Sequence, residues 1–135
     1  MLRTLAFLTV ASATVLGAQN TQMTLTPTSK VRVEGSSNIH NWHAETSTLT
    51  AKIEMATPVD AGARVEAVTL TIPVLTLKSG KDGLDKNMYK AMKASQHPNI
   101  TYRMTNYTST PDNGAYTATV TGVLTVNGVE KEVVA

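Results

Sequence analysis

An antiparallel, mainly β domain carrying one short amphipathic helix is the fold class this sequence predicts, and three observations predict it. Apolar and polar residues alternate with period two over several segments, one stretch has the helical period, and an Asn-Gly pair stands between two valines near the chain's end. Alternation of that kind marks a sheet with one wet and one dry face. An up-and-down barrel and a sandwich both satisfy it, and the residues alone leave the two open.

At the N-terminus, Met1-Leu2-Arg3 is a short basic region, Leu5 to Leu16 is uncharged and apolar, and Leu16-Gly17-Ala18 offers small residues to a signal peptidase. Residues 1–18 are therefore expected to be a cleaved signal peptide, and 19–135 a single domain with no room for a second core. The apolar run is too short to span a bilayer as a helix. With no cysteine, the chain has neither disulfides nor a cysteine-borne lipid to hold it, which suits the bacterial periplasm or a secreted location. Without the leader the chain carries 11 basic and 10 acidic residues, a balance that gives nucleic acid no electrostatic footing. Its sole phenylalanine, Phe7, lies in the leader, so the core rests on aliphatic residues, one Trp and four Tyr.

The strands follow in order. Leu49, Ala51, Ile53 and Met55 alternate with polar neighbours, as do Val68, Leu70 and Ile72, then Ile100, Tyr102 and Met104, then Tyr116, Ala118, Val120, Leu124 and Val126. Threonine fills most of the opposite face, which fits both strand propensity and solvent. At Pro73 the apolar parity moves to Leu75 and Leu77, as a bulge or bend would require. Gly122 interrupts its own apolar row and is expected at a bend. Asn127-Gly128 predicts a type I′ hairpin, whose two central residues need positive φ.

Between Leu84 and Ser95 the period changes. Leu84, Met88, Ala91, Met92 and Ser95 fall on one arc of a helix, and Lys86, Lys90 and Lys93 on the opposite arc. Asp82 or Asp85 supplies negative charge near the helix start, and His97-Pro98 is expected to end it. The lysine arc reads first as solvated surface, with attraction to an anionic head group or membrane surface as the alternative.

Catalysis has no visible seat. No nucleophile elbow, phosphate loop or Cys-His pair is present, and the acidic residues stand singly among polar neighbours. His40, His43 and distant His97 are the only candidate metal ligands by count, but histidines three apart on a strand point to opposite faces. No catalytic residue, metal or cofactor is assigned.

Four ordered blocks resemble the YceI-like domain: Val31 to Trp42 (VRVEGSSNIHNW), Leu77 to Gly80 (LKSG), Gly83 to Ile100 and Val120 to Lys131. The resemblance covers about residues 29–134 and implies a lipocalin-like antiparallel barrel binding a polyisoprenoid or other long-chain amphiphile in the periplasm. It decides between barrel and sandwich in favour of the barrel, whose eight-stranded form is about wide enough for one small ligand. Members of the family carry strands beyond the Asn-Gly hairpin, so the barrel here is expected to be open at its C-terminal end. The family transfers no fixed set of binding residues. By alternation, the cavity wall is expected to comprise Ile53, Met88, Met92, Ile100, Tyr102, Met104, Leu124 and Val126, with Trp42 beside them. The expected activity is binding, sequestration or transport of the lipid without catalysis. A stress-response or interaction protein that uses the barrel as a scaffold, and a homodimer, are the alternative expectations.

If the leader is read correctly, N-terminal sequencing of protein from the periplasmic fraction will find a start near Gln19. An intact Met1 terminus in a soluble cytoplasmic pool would contradict it.

Overall fold

The computed structural model describes residues 21–56 and 64–135, so the predicted signal peptide lies outside the described residues. Among the described residues, eight strands, one α-helix and one 3₁₀ turn follow in the order β1 (Thr21–Met23), β2 (Val31–Ser36), β3 (Asn41–Thr46), β4 (Thr50–Met55), β5 (Val65–Pro73), the 3₁₀ turn (Val74–Thr76), α1 (Asp82–Ala91), β6 (Asn99–Asp112), β7 (Ala115–Val126) and β8 (Val129–Val134). Six strands form one antiparallel sheet in the order β1-β4-β5-β6-β7-β8, and β2 pairs with β3 in a separate hairpin. Within this order β1 and β8 each have one neighbour, so the sheet is open.

Strand pairing carries the dry face across the whole sheet. Ile53 pairs with Val68, Leu70 with Ala51 and Tyr102, Ile72 with Ile100, and Leu124 with Tyr102. One irregularity protects this arrangement. On β6 the apolar parity runs Ile100, Tyr102, Met104 and then Tyr107, whereas on β7 it is unbroken. A register shift between Met104 and Asn106 takes up the odd residue, so that Met104 lies opposite Gly122 and Tyr107 opposite Val120. Such a bulge inserts one residue without turning the rest of the strand inside out. Beyond it, β6 and β7 continue as a ribbon to a turn at Asn113-Gly114. The β5 ladder reaches only Arg103 on β6, and the β8 ladder with its flanking residue reaches only Val120 on β7.

The two Asn-Gly hairpin turns are both type I′ in sign, with φ of 47° and 82° at Asn113 and Gly114, and 52° and 69° at Asn127 and Gly128. The second was expected from sequence. The first carries the same dipeptide but lies among Thr, Ser and Pro rather than between two valines.

Two expectations are corrected by the backbone. Of the bulge or bend expected at Pro73 the backbone has the bend, because β5 ends there and a 3₁₀ turn follows, but Leu75 does not join the dry row with Leu77. With three residues per turn, positions i and i+3 share a face. Val74 and Leu77 are therefore buried, at 1% and 0% exposure, while Leu75 turns outward at 58%. The helix also stops at Ala91, earlier than Ser95, and His97-Pro98 is not what ends it. Lys93 takes a left-handed φ of 48°; its N–H donates to the Lys90 carbonyl (3.1 Å) and the Ala94 N–H to the Tyr89 carbonyl (3.0 Å). This is a Schellman cap with lysine where glycine is usual. Ala91, the last residue of the helix, and Ser95, beyond it, were expected on the dry arc and are both exposed.

The core lies where the β2–β3 hairpin, the 3₁₀ turn and α1 meet the β5–β6 part of the sheet. Ala44, Ile72, Val74, Leu77, Met88, Ala94 and Ile100 are its buried members. A backbone bridge fastens the hairpin to it, the Glu45 and Lys78 N–H groups each donating to the other's carbonyl at 2.9 Å. Buried Thr46 adds a polar tie: its hydroxyl donates to Thr76 Oγ1 (2.9 Å), which donates to the Pro73 carbonyl (2.7 Å).

Two glycines are fixed by close approach. Gly35 lies opposite Trp42, whose indole occupies the space a Cβ would need, and the phenol end of Tyr102 does the same over Gly122. Gly122 thus makes room for a ring, beside the bulge, where a bend was expected. Replacing either Gly35 or Gly122 with Ala should displace that ring and cost about 1–3 kcal/mol, the usual range for overpacking. Urea denaturation measures the loss, and an unchanged midpoint for both variants would refute the contact.

Candidate ligand-binding face

The nine residues expected to line a cavity fall into two groups. Ile100 and Met88 are buried in the core cluster, and Trp42, Met92, Leu124 and Val126 pack against it half-buried. Ile53, Tyr102 and Met104 lie on the same face of the sheet, half-buried, but outside that cluster. The structure therefore places one apolar surface across three layers: the sheet, the inner side of the β2–β3 hairpin, and the Met88–Met92 side of α1.

The larger concavities lie elsewhere. One open cleft of about 500 Å³ runs over the β2–β3 hairpin beside Arg32, Glu34, Trp42 and His43. A second open groove, of about 530 Å³, is lined by Leu75, Tyr89, Lys90, Lys93 and Ala94 with two polar neighbours. Only Trp42 of the expected wall residues contributes to either.

Helix α1 is held against the core by polar contacts that the alternation pattern did not reveal. Asp85, expected only as a helix-start charge, is 5% exposed. Its Oδ1 accepts from the Ser79 hydroxyl (2.6 Å) and the Ser79 N–H (2.8 Å). Those two hydrogen bonds, with the Lys78 ammonium 4.0 Å from Oδ2, hold the Asp85 carboxyl below the usual aspartate range. Tyr89 donates its hydroxyl to the Leu77 carbonyl at 2.6 Å, and Lys78 lies 5.3 Å from the centre of its ring. The loop Ser79-Gly80-Lys81 is thereby tied to the first turn of the helix, and the helix to the segment after the 3₁₀ turn.

Other sequence candidates resolve simply. His40 and His43 are exposed, His97 packs half-buried on Gly128, and among the described residues no group of three His, Cys, Asp or Glu could hold a metal ion. Lys86, Lys90 and Lys93 are all exposed, as a solvated arc requires. Sequence reasoning passed over Lys131. It pairs with Leu124 and so stands on the apolar face between Val129 and Val133, where its signal is a charged residue at a position the alternation reserves for an apolar one.

A family model described as the YceI-like domain matches residues 15–135. No curated protein sequence matches the chain. Among solved structures, the Campylobacter jejuni YCEI protein aligns with a TM-score of 0.56 at 20% identity, over 96% of this chain and 66% of its own. Burkholderia cenocepacia BcnA aligns with a TM-score of 0.57 at 19% identity, over 78% of this chain and 63% of its own. Identities this low speak for a shared fold alone. The chain spans a little under two thirds of the length of these solved relatives.

Because the Asp85 carboxyl titrates below its ordinary value, its contribution to stability is complete above the ordinary aspartate pKa of about 3.9 and is lost as pH falls through the lower folded value. Asp85→Asn should therefore be less stable than the parent at neutral pH and should lose less on acidification. Urea midpoints between pH 7 and pH 2 test this, and parallel curves for the two proteins would show that Asp85 is not the group responsible.

Proposed function

This chain belongs to the YceI-like domain family, and from that premise we propose that it binds, sequesters or transports a polyisoprenoid or other long-chain amphiphile in the periplasm, without catalysis. The observation that carries this reading is the continuity of the apolar face. It keeps one parity across six strands, it is extended by Trp42 and covered by Met88 and Met92, and the bulge beside Thr105 keeps it intact. A saturated or isoprenoid chain is a run of identical apolar units and needs a surface of this kind more than it needs a deep polar pocket.

Contact with the membrane surface accompanies this function in our proposal. Leu75, exposed by the 3₁₀ turn, shares a groove with Lys90 and Lys93, which sets an apolar anchor beside cations as an interfacial contact requires. The scaffold reading draws its support from exposed apolar side chains on β8, where Val129 and Val134 are each 66% exposed. Exposed apolar side chains suit contact with a second copy or another protein.

Solvent extraction of natively purified protein followed by mass spectrometry is expected to recover a stoichiometric long-chain compound. A clean extract from a well-folded preparation would favour the scaffold. Met92 is only half-buried, so Met92→Glu can leave the core standing while setting a carboxylate on the apolar face, at a cost of roughly 1–3 kcal/mol. Lipid affinity should fall at least tenfold. Replacing Lys86, Lys90 and Lys93 together with Gln should leave stability nearly unchanged and weaken binding to anionic vesicles at low salt, the difference fading as salt rises. Circular dichroism confirms folding in both cases, and a Met92→Glu protein that binds like the parent would remove α1 from the site.

A further inference from the structure

Among the paired, described positions on the apolar face of the six-stranded sheet, one side chain is charged. Reading its paired inward positions from Met23 on β1 to Val133 on β8, every described side chain is apolar, small or uncharged except that of Lys131, while Glu66 falls unpaired at the β4–β5 register shift. The register shows what Lys131 stands beside. Leu124 pairs with Tyr102 on one side and with Lys131 on the other, so these three form one row across β6, β7 and β8. Tyr102 leans from that row, its phenol end lying over Gly122, the residue that pairs with Val133. A phenol hydroxyl and an ammonium thus belong to neighbouring rows of an otherwise apolar face. Their strands are two spacings apart, about 9–10 Å, a gap that the length of a lysine side chain can largely close. Among the described residues no carboxylate lies within 4 Å of the Lys131 ammonium.

We propose that Lys131 and the Tyr102 hydroxyl hold the anionic head group, carboxylate or phosphate, of an amphiphile whose chain lies along the apolar rows beyond Leu124. The inference rests on the lipid-binding reading and deepens it by naming the head-group chemistry. A chain laid over the face removes water from around Lys131. An ammonium left unpaired there is costly, and a charge-assisted hydrogen bond to an anion removes the cost. An alcohol offers no such compensation. Tyr102 adds a donor on the other side of the same group, and Gly122 lets the ring lie flat enough to present it.

An inward-pointing lysine on an edge strand also has a purely structural use, which is to discourage edge-to-edge pairing. The two roles differ in what they move. Edge protection governs self-association, whereas head-group recognition governs the preference among ligands of equal chain length.

The test is equilibrium dialysis of the parent and its variants against radiolabelled hexadecanoic acid, hexadecanol, farnesyl phosphate and farnesol, with gel filtration of each protein. The parent should bind at least one anion about tenfold or more tighter than its matching alcohol. Lys131→Met should abolish that preference while alcohol affinity stays the same, Lys131→Arg should keep it, and Tyr102→Phe should reduce it a few-fold. If Lys131→Met associates, Lys131→Gln gives the same comparison with a polar side chain. Preference for only one of the two anions would support the proposal and identify the source of the head group. Equal affinity for acid and alcohol in the parent, or a preference that survives Lys131→Met or Lys131→Gln, overturns the head-group site while leaving lipid binding intact. Failure of all four ligands to bind the parent overturns the lipid reading itself.

Discussion

Successive side chains of a strand point to opposite sides of the sheet, and this period of two is the constraint on which the rest of the molecule depends. A slip of one residue in any strand exchanges its whole dry set for its wet set. Six antiparallel strands here share one dry side, and each place where a strand breaks step has a device that absorbs the error. The bulge at Met104–Asn106 takes up an extra residue on β6, and a second irregularity at Glu54–Met55 does the same between β4 and β5. Where no side chain can be admitted, at Gly122, the ring of Tyr102 fills the row from the neighbouring strand.

The smaller elements are subordinate to that surface. The β2–β3 hairpin brings Val31, Val33, Trp42 and Ala44 to it and is anchored through the Glu45–Lys78 bridge and the Thr46–Thr76 hydroxyl pair. Helix α1 is too short to be stable alone, so its placement depends on Met88 in the core, on Asp85 bound to Ser79 and on Tyr89 bound to Leu77. Its end is set by a lysine in a conformation that non-glycine residues avoid, at a cost of roughly 1–2 kcal/mol, and that turn returns Ala94 to the core.

Much of this was legible in the residues because alternation is a direct projection of sheet geometry. The rows Ile53, Leu70, Ile72, Ile100, Tyr102, Leu124 and Val126 could be read without knowing which strands pair. Features that depend on hydrogen bonds across distant segments could not. Asp85 looks like any helix-start carboxylate until Ser79 is seen to fold back on it, and nothing local distinguishes Lys93 as a helix terminator. Pro73 signalled a break without saying whether a bulge or a 3₁₀ turn follows, and the choice decides whether Leu75 faces inward. Asn113-Gly114 was a different kind of omission, since the dipeptide signal was present but its flanks are Asp112 and Ala115 rather than two valines. Lys131 was missed although its signal was present, a charge set into an apolar alternation.

The β6–β7 ribbon has a kinetic consequence. Its outer half, from Asn106 round Asn113-Gly114 to Thr119, is stabilised by its own ladder alone, and isolated two-stranded ribbons are marginal in water. Yet its ends are joined by the tightest of loops, so closing it sacrifices little chain entropy. The β7–β8 hairpin has the same tight loop, although its β7 strand is also paired with β6, whereas joining β5 to β6 requires the intervening turn and helix to be enclosed first. Local hairpins with low sequence separation form fastest. Assembly should therefore run from the C-terminal meander toward the N-terminal strands, with the ribbon tip forming early and reopening often while the sheet behind it stays shut.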